Sequence, residues 1–251
     1  MKNENKELTG KVPVEAIAML ELPVILADII DGFRKLSDLC GTVSDAMDEI
    51  GIVGVVPSSV LNPTIPDTRM VGRALTLRNI PQKTPAYKGA VERISMMAEI
   101  EGHNLAQEGD VLVIEGVDGI SNMGGISASI GKRQREAGAV VYGSVRDVEH
   151  SRSIGYPIWC RSVSPITGKW RLQTIQINGT VNIAGIQVHP GDLVVADGTG
   201  VCFVPREHVN SVLKRAQEID AGEALRYKDI EAGVSVPELA RKTHVYKFKT
   251  D

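Results

Sequence analysis

The sequence predicts an α/β fold, built as one large domain with helical extensions at both ends. Three observations carry that prediction. Residues 111–145 run strand, Gly-rich loop, helix, strand, which is the order of a parallel crossover unit. Residues 170–205 alternate apolar runs with turn pairs such as Asn178-Gly179 and Asp197-Gly198, as antiparallel strands do. Apolar residues recur at helical spacing near both ends of the chain. A chain of 251 residues can bury a sizeable core as one domain or two.

In residues 12–39, Ile17, Leu20, Leu22, Ile25, Ile29 and Phe33 keep helical spacing that Pro23 interrupts, so two short helices or one broken helix are expected. Beyond Gly41, Thr42 or Ser44 is placed to cap a helix, DAMDEIG, that stops at Gly51. Residues 55–72 are rich in turn formers and predict a surface loop leading into the strand VGRALTLR (71–78). Residues 87–107 read as one helix with Val91, Ile94, Met97, Ala98 and Ile100 inward. VLVIEG (111–116) is a buried-strand run, GVDGISNMGG (116–125) a flexible loop, ISASIGKRQREAG (126–138) a helix, and AVVYGSV (139–145) a second strand ending at Arg146 and Asp147. Gly109-Asp110 and Gly191-Asp192 each precede four apolar residues and a carboxylate, which a turn entering a buried strand explains. A last helix from 206 to about 232 and a charged tail follow. The expected division is a helical extension (1–40), an α/β core (41–205), and a C-terminal helix and tail (206–251) packing on the core or a neighbouring subunit.

Composition excludes several classes. Hydrophobic residues make up 43%, charged residues 24%, and the net charge is −3, so there is no basic footprint for nucleic acid. No apolar run reaches the roughly eighteen residues of a membrane span, and MKNENKELTGK lacks the apolar centre of a signal peptide. The expectation is a cytoplasmic protein with neither nucleic-acid nor membrane partners. Cys40, Cys160 and Cys202 are scattered, with no C-x-x-C pair, and read as buried small hydrophobes.

The residues best placed for chemistry are Arg146 and Asp147, at the mouth of a strand beside the Gly-rich loop. A carboxylate there can ligate a hard cation such as Mg²⁺ or Mn²⁺, and an arginine can hold a carboxylate or enolate oxygen through its planar fork. A surface ion pair after a strand would have the same local sequence. The loop has neither G-K-[ST] nor G-x-G-x-x-G, yet its glycines allow backbone amides to face an anion at the next helix start; a plain flexible connection is the other reading. Asp197 reads as a turn residue, and His150, three residues after Asp147, as a solvated histidine. No histidine pair has zinc spacing, and no G-x-S-x-G is present.

Six ordered blocks carry a family resemblance: TVSDAMDEIG (42–51), MVGRALTLR (70–78), GDVLVIEG (109–116), GAVVYGSVRDV (138–148), GYPIWCR (155–161) and HPGDLVVADGTGVCFVP (189–205). In order and spacing they resemble the RraA-like proteins, which include the 4-hydroxy-4-methyl-2-oxoglutarate (HMG/CHA) aldolases. The resemblance implies a layered αββα sandwich related to swivelling phosphohistidine domains, assembled as a homotrimer or homohexamer with active sites between subunits. It implies a divalent-metal-dependent lyase, using Mg²⁺ or Mn²⁺, that acts on a small 2-oxo acid through a pyruvate enolate. Retro-aldol cleavage of a 4-hydroxy-2-oxo acid and oxaloacetate decarboxylation both pass through that enolate.

By the same resemblance Asp147 is a metal ligand, Arg146 holds the oxo group and growing enolate, and loop amides of Asn122, Met123, Gly124 and Gly125 bind the pyruvyl carboxylate. Glu223 matches an acidic residue that a neighbouring subunit brings near the metal. The family's aldolases carry an Asp-x20-Arg-Asp motif whose first position is Gly125 here, so the usual acidic group is missing. Decarboxylation needs no base for a hydroxyl and should suffer less than aldol cleavage; Asp118 or a water would otherwise take the absent group's place. The alternative function is a non-catalytic regulator of the ribonuclease-inhibitor type, which the family also contains.

Overall fold

The computed structural model describes residues 6–242. In chain order the strands are β1 (Val55–Pro57), β2 (Asn62–Pro63), β3 (Met70–Pro81), β4 (Val111–Glu115), β5 (Gly138–Val145), β6 (Ile158–Val163), β7 (Leu172–Ile177), β8 (Val181–Ile183), β9 (Ile186–Val188), β10 (Leu193–Asp197) and β11 (Gly200–Val204). The helices are α1 (Ala27–Arg34), α2 (Leu39–Ile50), α3 (Ala86–Glu92), α4 (Glu99–Leu105), α5 (Gly125–Arg133), α6 (Val148–Ser153), α7 (Val209–Glu231) and α8 (Val236–Lys242). The result is a mixed α/β fold around one central sheet.

Strand order across that sheet is β1-β11-β10-β3-β4-β5-β6-β2, with β7 also paired to β3, while β8 and β9 form a separate hairpin. The long strand β3 is the seam. Its first residues pair antiparallel with β10, Ala74 to Arg78 pair parallel with β4, and its end pairs antiparallel with β7. From β3 through β6 the strands are parallel, so β4-α5-β5 is the crossover unit expected from the sequence. The carboxyl ends of β4 and β5 lie side by side, where an open parallel sheet places ligands.

Three apolar clusters hold these elements. One includes Trp159, Val113, Val140, Val194 and Phe203 from the sheet together with Val181, Ile183 and Val188 of the small hairpin. A second joins Leu75, Leu112, Ile114 and Val141 to Ala128, Tyr156 and Leu105, and packs β3, β4 and β5 under α4 and α5. In the third, Leu193, Val195 and Val204 meet Phe33, Val43, Met47 and Val212 of α1, α2 and α7. Each fully buried large apolar side chain contributes about 1.5–3 kcal/mol. Trp159 is fully buried and its indole N–H donates to the Asp197 carbonyl at 2.8 Å, so its burial leaves no orphan donor.

Several expectations need correction. The first half of residues 12–39 is a single 3-10 turn, Val14–Ala16, followed by extended chain that bridges Ile17 to Ile177; only α1 is helical. The helix ending at Gly51 starts at Leu39, so Thr42 and Ser44 lie inside it and cap nothing. Residues 87–107 form two helices. Arg93 adopts a left-handed conformation (φ 55°) that ends α3, and the chain then bridges Met96 to Gln173 before α4 begins. Tertiary pairing thus overrides local periodicity, leaving Val91 81% and Ile94 48% exposed while Ala98 is buried. The last part of the charged tail lies outside the described residues.

Candidate active site at the mouth of the parallel strands

Strand β5 ends at Val145, and the next two residues turn the chain into α6. The Arg146 amide donates to the Met123 carbonyl at 3.2 Å, which ties the strand end to the Gly-rich loop. Asp147 sits at the N-cap of α6 in the left-handed region (φ 54°, ψ 38°), a conformation that aspartate tolerates better than most residues. That turn aims its carboxylate backward: Asp147 Oδ2 accepts the Gly125 amide at 2.9 Å and lies 3.5 Å from Arg146 Nε. Both side chains are part-exposed, at 34% for Arg146 and 47% for Asp147. The other oxygen, Asp147 Oδ1, has no hydrogen-bond partner among the described residues.

The loop from 116 to 125 is held from within by Asn122. Its Nδ2 donates to the carbonyls of Val117, Ile120 and Ser144, its Oδ1 accepts the Val117 amide, and its own amide donates to Ser144. Asn122 is therefore a brace, with its polar groups already occupied. The Gly125 amide is likewise engaged, by Asp147. Among the four loop amides anticipated as anion donors, those of Met123 and Gly124 have no acceptor among the described residues. They stand at the positive end of α5, where an anion is favoured.

Two glycines set how closely the pair approaches this loop. A Cβ on Gly124 would stand 2.8 Å from Asp147 Oδ2 and 3.0 Å from Arg146 Nε, so the pair packs directly on bare backbone. A Cβ on Gly125 would meet His150 Cδ2 at 3.1 Å and Asp147 Cβ at 3.3 Å. The imidazole of His150, bonded through Nε2 to Ser129 Oγ at 2.8 Å, thus borders the space that a side chain at 125 would enter. His150 is exposed, as expected, but it is part of the site's wall.

Two cavities meet at this backbone. One, of about 640 Å³, is lined by Gly125, Ile126, Ser129, Asp147, Glu149 and His150 among others. The other, of about 210 Å³, is lined by Lys11, Glu99, Met123, Gly124, Arg146 and Lys169 among others. Burial pushes the Glu99 carboxyl above the usual carboxylate range, outweighing its own amide and the attraction of His103, Lys169 and Arg146. No local pattern marks Glu99 in the sequence.

Other anticipated residues fall elsewhere. Asp118 accepts hydroxyls from Ser162 (2.8 Å) and Ser144 (3.1 Å) and faces Arg161. The Ser162 bond leads the interactions that hold its carboxyl below the ordinary range, and it lines neither cavity. Asp118 is thus poorly suited to replace the acidic group absent at 125. Glu223 lies on α7 in a separate cavity with Asp45, Arg215 and Asp229, so one chain alone does not bring it to Asp147. Asp197 is a turn residue as expected: its carboxylate accepts the Thr199 amide and hydroxyl and the Cys40 amide.

The described residues contain no group of three or more His, Cys, Asp or Glu side chains arranged to hold a metal. A hard cation of the Mg²⁺ type nevertheless needs only one or two carboxylates and keeps several waters or substrate oxygens. The unpartnered, half-exposed Oδ1 of Asp147 fits that mode of binding.

Directly beneath α5 lies a polar cluster that no short motif could reveal. His103 bonds Glu136 through Nδ1 and Ser127 through Nε2, both at 2.7 Å, and Tyr156 donates to Glu136 at 2.6 Å. Burial, then the Glu136 carboxylate, pushes the Tyr156 hydroxyl well above its ordinary value, which keeps it a donor. Ser127 is 5% exposed and His103 is fully buried, so this serine-histidine-glutamate set is closed to substrate and anchors the first turn of α5.

Comparison with known proteins bears on this arrangement. The family model described as RraA-like, Aldolase/RraA, matches residues 40–203. Protein DlpA of Legionella pneumophila is 30% identical over 209 residues; the match takes in 82% of this chain but only 32% of DlpA, so the chain spans about a third of that relative. A Halalkalibacterium halodurans protein named "Putative 4-hydroxy-4-methyl-2-oxoglutarate aldolase" is 28% identical over 82% of this chain and 90% of its own length. Among solved structures, Streptomyces coelicolor RraAS2, described as an unusual member of the RNase ES inhibitor RraA family, superposes with a TM-score of 0.66 at 26% identity, covering 82% of this chain and 97% of its own.

Proposed function

Because this chain belongs to the RraA-like family, which includes 4-hydroxy-4-methyl-2-oxoglutarate aldolases and RraA regulators, we propose that it is a divalent-metal-dependent carbon-carbon lyase acting on a small 2-oxo acid. One observation carries this reading: a half-exposed arginine and aspartate packed against bare glycine backbone, beside two unpaired amides at a helix N-terminus. A structural ion pair would close on itself. This one leaves a carboxylate oxygen and two amide donors without partners among the described residues.

In this reading the amides of Met123 and Gly124 bind the substrate carboxylate, and the field of α5 adds to that attraction. Arg146 holds the 2-oxo oxygen and strengthens its grip as negative charge grows there, which lowers the barrier because the contact is better in the transition state than in the ground state. Asp147, with Glu223 of the partner subunit in a homotrimer or homohexamer, would hold Mg²⁺ or Mn²⁺, which when bound supplies Lewis-acid polarisation of the oxo group. Asn122 keeps the loop in shape. Gly125 offers no group to take a proton from a C4 hydroxyl, so loss of CO₂ from oxaloacetate suits these residues better than aldol cleavage. The layered αββα arrangement and the likeness to swivelling phosphohistidine domains belong to the same proposal. No helix among the described residues is long and apolar enough to cross a bilayer.

The test is pyruvate release from oxaloacetate and from several 4-hydroxy-2-oxo acids, with and without Mg²⁺ or Mn²⁺, for the wild type and Asp147→Asn. The expected result is metal-dependent release that the variant loses. Equal activity of Asp147→Asn would remove that residue from the site. No release from any of these acids would favour the regulator reading, toward which the likeness to RraAS2 points.

A further inference from the structure

The lyase reading leaves one step without a residue: the enolate carbon must receive a proton, and Gly125 has none to give. The smaller cavity holds a candidate. At about 210 Å³ it is below the size of drug-binding pockets and suits a small acid. Arg146, Met123 and Gly124, the residues read above as substrate binders, form part of its wall. Glu99 is the sole carboxylate on that wall among the described residues, and it shares the wall with Lys11, Arg146 and Lys169.

Glu99 is also fixed relative to the loop. The neighbouring Ala98 amide donates to Thr174 Oγ1 at 2.9 Å, the Thr174 hydroxyl donates to Asn79 at 2.7 Å, and Asn79 Nδ2 reaches Asn122 Oδ1 at 3.4 Å. A short polar chain thus connects the start of α4 to the brace of the Gly-rich loop. No other side chain hydrogen-bonds the Glu99 carboxyl among the described residues, whereas nearby Glu101 is engaged by Thr9 and Asn104. A half-buried carboxyl that no other side chain holds is available to a ligand.

We propose that Glu99 is the catalytic acid of this site, delivering the proton to C3 of the pyruvate enolate. This inference rests on the lyase reading. The step balances: the bond between C3 and the departing carboxylate breaks, its electron pair forms the C2–C3 enolate, and CO₂ leaves. C3 then takes the Glu99 proton to become the methyl of pyruvate, and solvent reprotonates Glu99. Desolvation of the Glu99 carboxyl keeps it protonated at higher pH than an ordinary glutamate, as a donor requires. The same protonated state makes Glu99 a poor base for a C4 hydroxyl. The site therefore favours 2-oxo acids bearing a carboxylate on C3 over 4-hydroxy-2-oxo acids.

The test compares wild type, Glu99→Gln and Glu99→Asp in two measurements. With Mn²⁺ present, exchange of pyruvate methyl protons in D₂O is followed by NMR alongside pyruvate release from oxaloacetate. Without metal, binding of oxalate is measured by calorimetry in buffers of different ionisation heat, which counts protons taken up when an anion settles beside Glu99. In Glu99→Gln, exchange should fall about a hundredfold or more, in line with loss of a general acid, and proton uptake should vanish while oxalate still binds. In the wild type, exchange should rise as pH climbs through the raised Glu99 value, because lifting a proton from the methyl group needs the Glu99 carboxylate, the conjugate base of the acid that delivers it. His103, Lys169 and Arg146 act on the same carboxyl, Lys11 lines the same cavity, and His103 is locked between Glu136 and Ser127. Glu99→Asp keeps a carboxyl and should retain part of the exchange, with the rising limb moved to lower pH. Wild-type exchange and pH limb in Glu99→Gln would overturn the assignment of Glu99 alone. If the wild type neither releases pyruvate nor exchanges its methyl protons, the lyase reading falls and this proposal with it, whatever calorimetry shows.

Discussion

Two arginine-aspartate pairs show how differently one chemistry is used in this molecule. Arg73 in β3 meets Asp110 through two bonds, at 2.9 and 3.1 Å, with side chains only 9% and 3% exposed. Arg73 also donates to the carbonyls of Leu22 and Pro23 and to Gln107, and Asp110 accepts the Gln107 amide. Arg146 and Asp147 stand 3.5 Å apart, part-exposed, with one carboxylate oxygen unclaimed. The first pair ties an N-terminal segment to the sheet. The second is held by backbone on one side and open on the other, so unfilled valence, more than the presence of charge, separates the pair proposed to bind from the structural one.

Breaking the closed pair should have the largest effect. Arg73→Ala leaves a buried carboxylate and three acceptors unpaired and should cost about 3–5 kcal/mol, read as a lower denaturation midpoint. A loss under about 1 kcal/mol, the range of exposed pairs, would erase the distinction drawn between the two pairs. Asp147→Asn should behave oppositely. Asparagine tolerates the left-handed turn, so stability should move by less than about 1 kcal/mol, while pyruvate release drops about a hundredfold or more as several kcal/mol of charge stabilisation are lost.

Gly124→Ala probes the support under the open pair. The new methyl would press on Asp147 Oδ2 and Arg146 Nε, so we expect about 1–3 kcal/mol of destabilisation from overpacking together with weaker pyruvate binding, measured by thermal melting and calorimetry. Unchanged binding would show that the pair does not depend on its bare-backbone seat. The smallest effect concerns Asp197. Burial alone would raise its carboxyl, but bonds from Thr199 and Cys40 hold it below the ordinary range. A lowered folded-state value contributes stability above the unfolded-state value, about 3.9, and that contribution disappears as pH falls through the folded value. Asp197→Asn should therefore flatten the acid limb of the stability curve, which a pH series of urea melts would reveal.

How much of this was legible in the sequence depended on the range of the interactions involved. The apolar runs of β4, β5 and β10 announce buried strands, and the Gly109-Asp110 and Gly191-Asp192 turns do what such pairs do. Both glycines take positive φ, and Asp192 accepts the His189 and Arg206 amides. Arg146 and Asp147 were visible because a strand end and a Gly-rich loop lie close together in sequence. Glu99, His103 and Glu136 were not. The partners of His103 and Glu136 lie twenty or more residues away, and the broken helix at Arg93 ahead of Glu99 goes with the Met96 bridge to Gln173, a contact that periodicity does not contain. Asn122 was legible as a loop residue but not as a brace, because its carbonyl acceptors are fixed by folding alone.

The left-handed backbone at Asp147 also bears on how this position can change over time. Few residues are comfortable there, and asparagine and glycine are foremost among them. A lineage could therefore surrender the charge, and with it the proposed chemistry, while keeping the turn from strand to helix. Alanine or leucine would strain that turn as well as remove the carboxylate. At Arg73 no such quiet exit exists, since every replacement leaves the same buried acceptors behind.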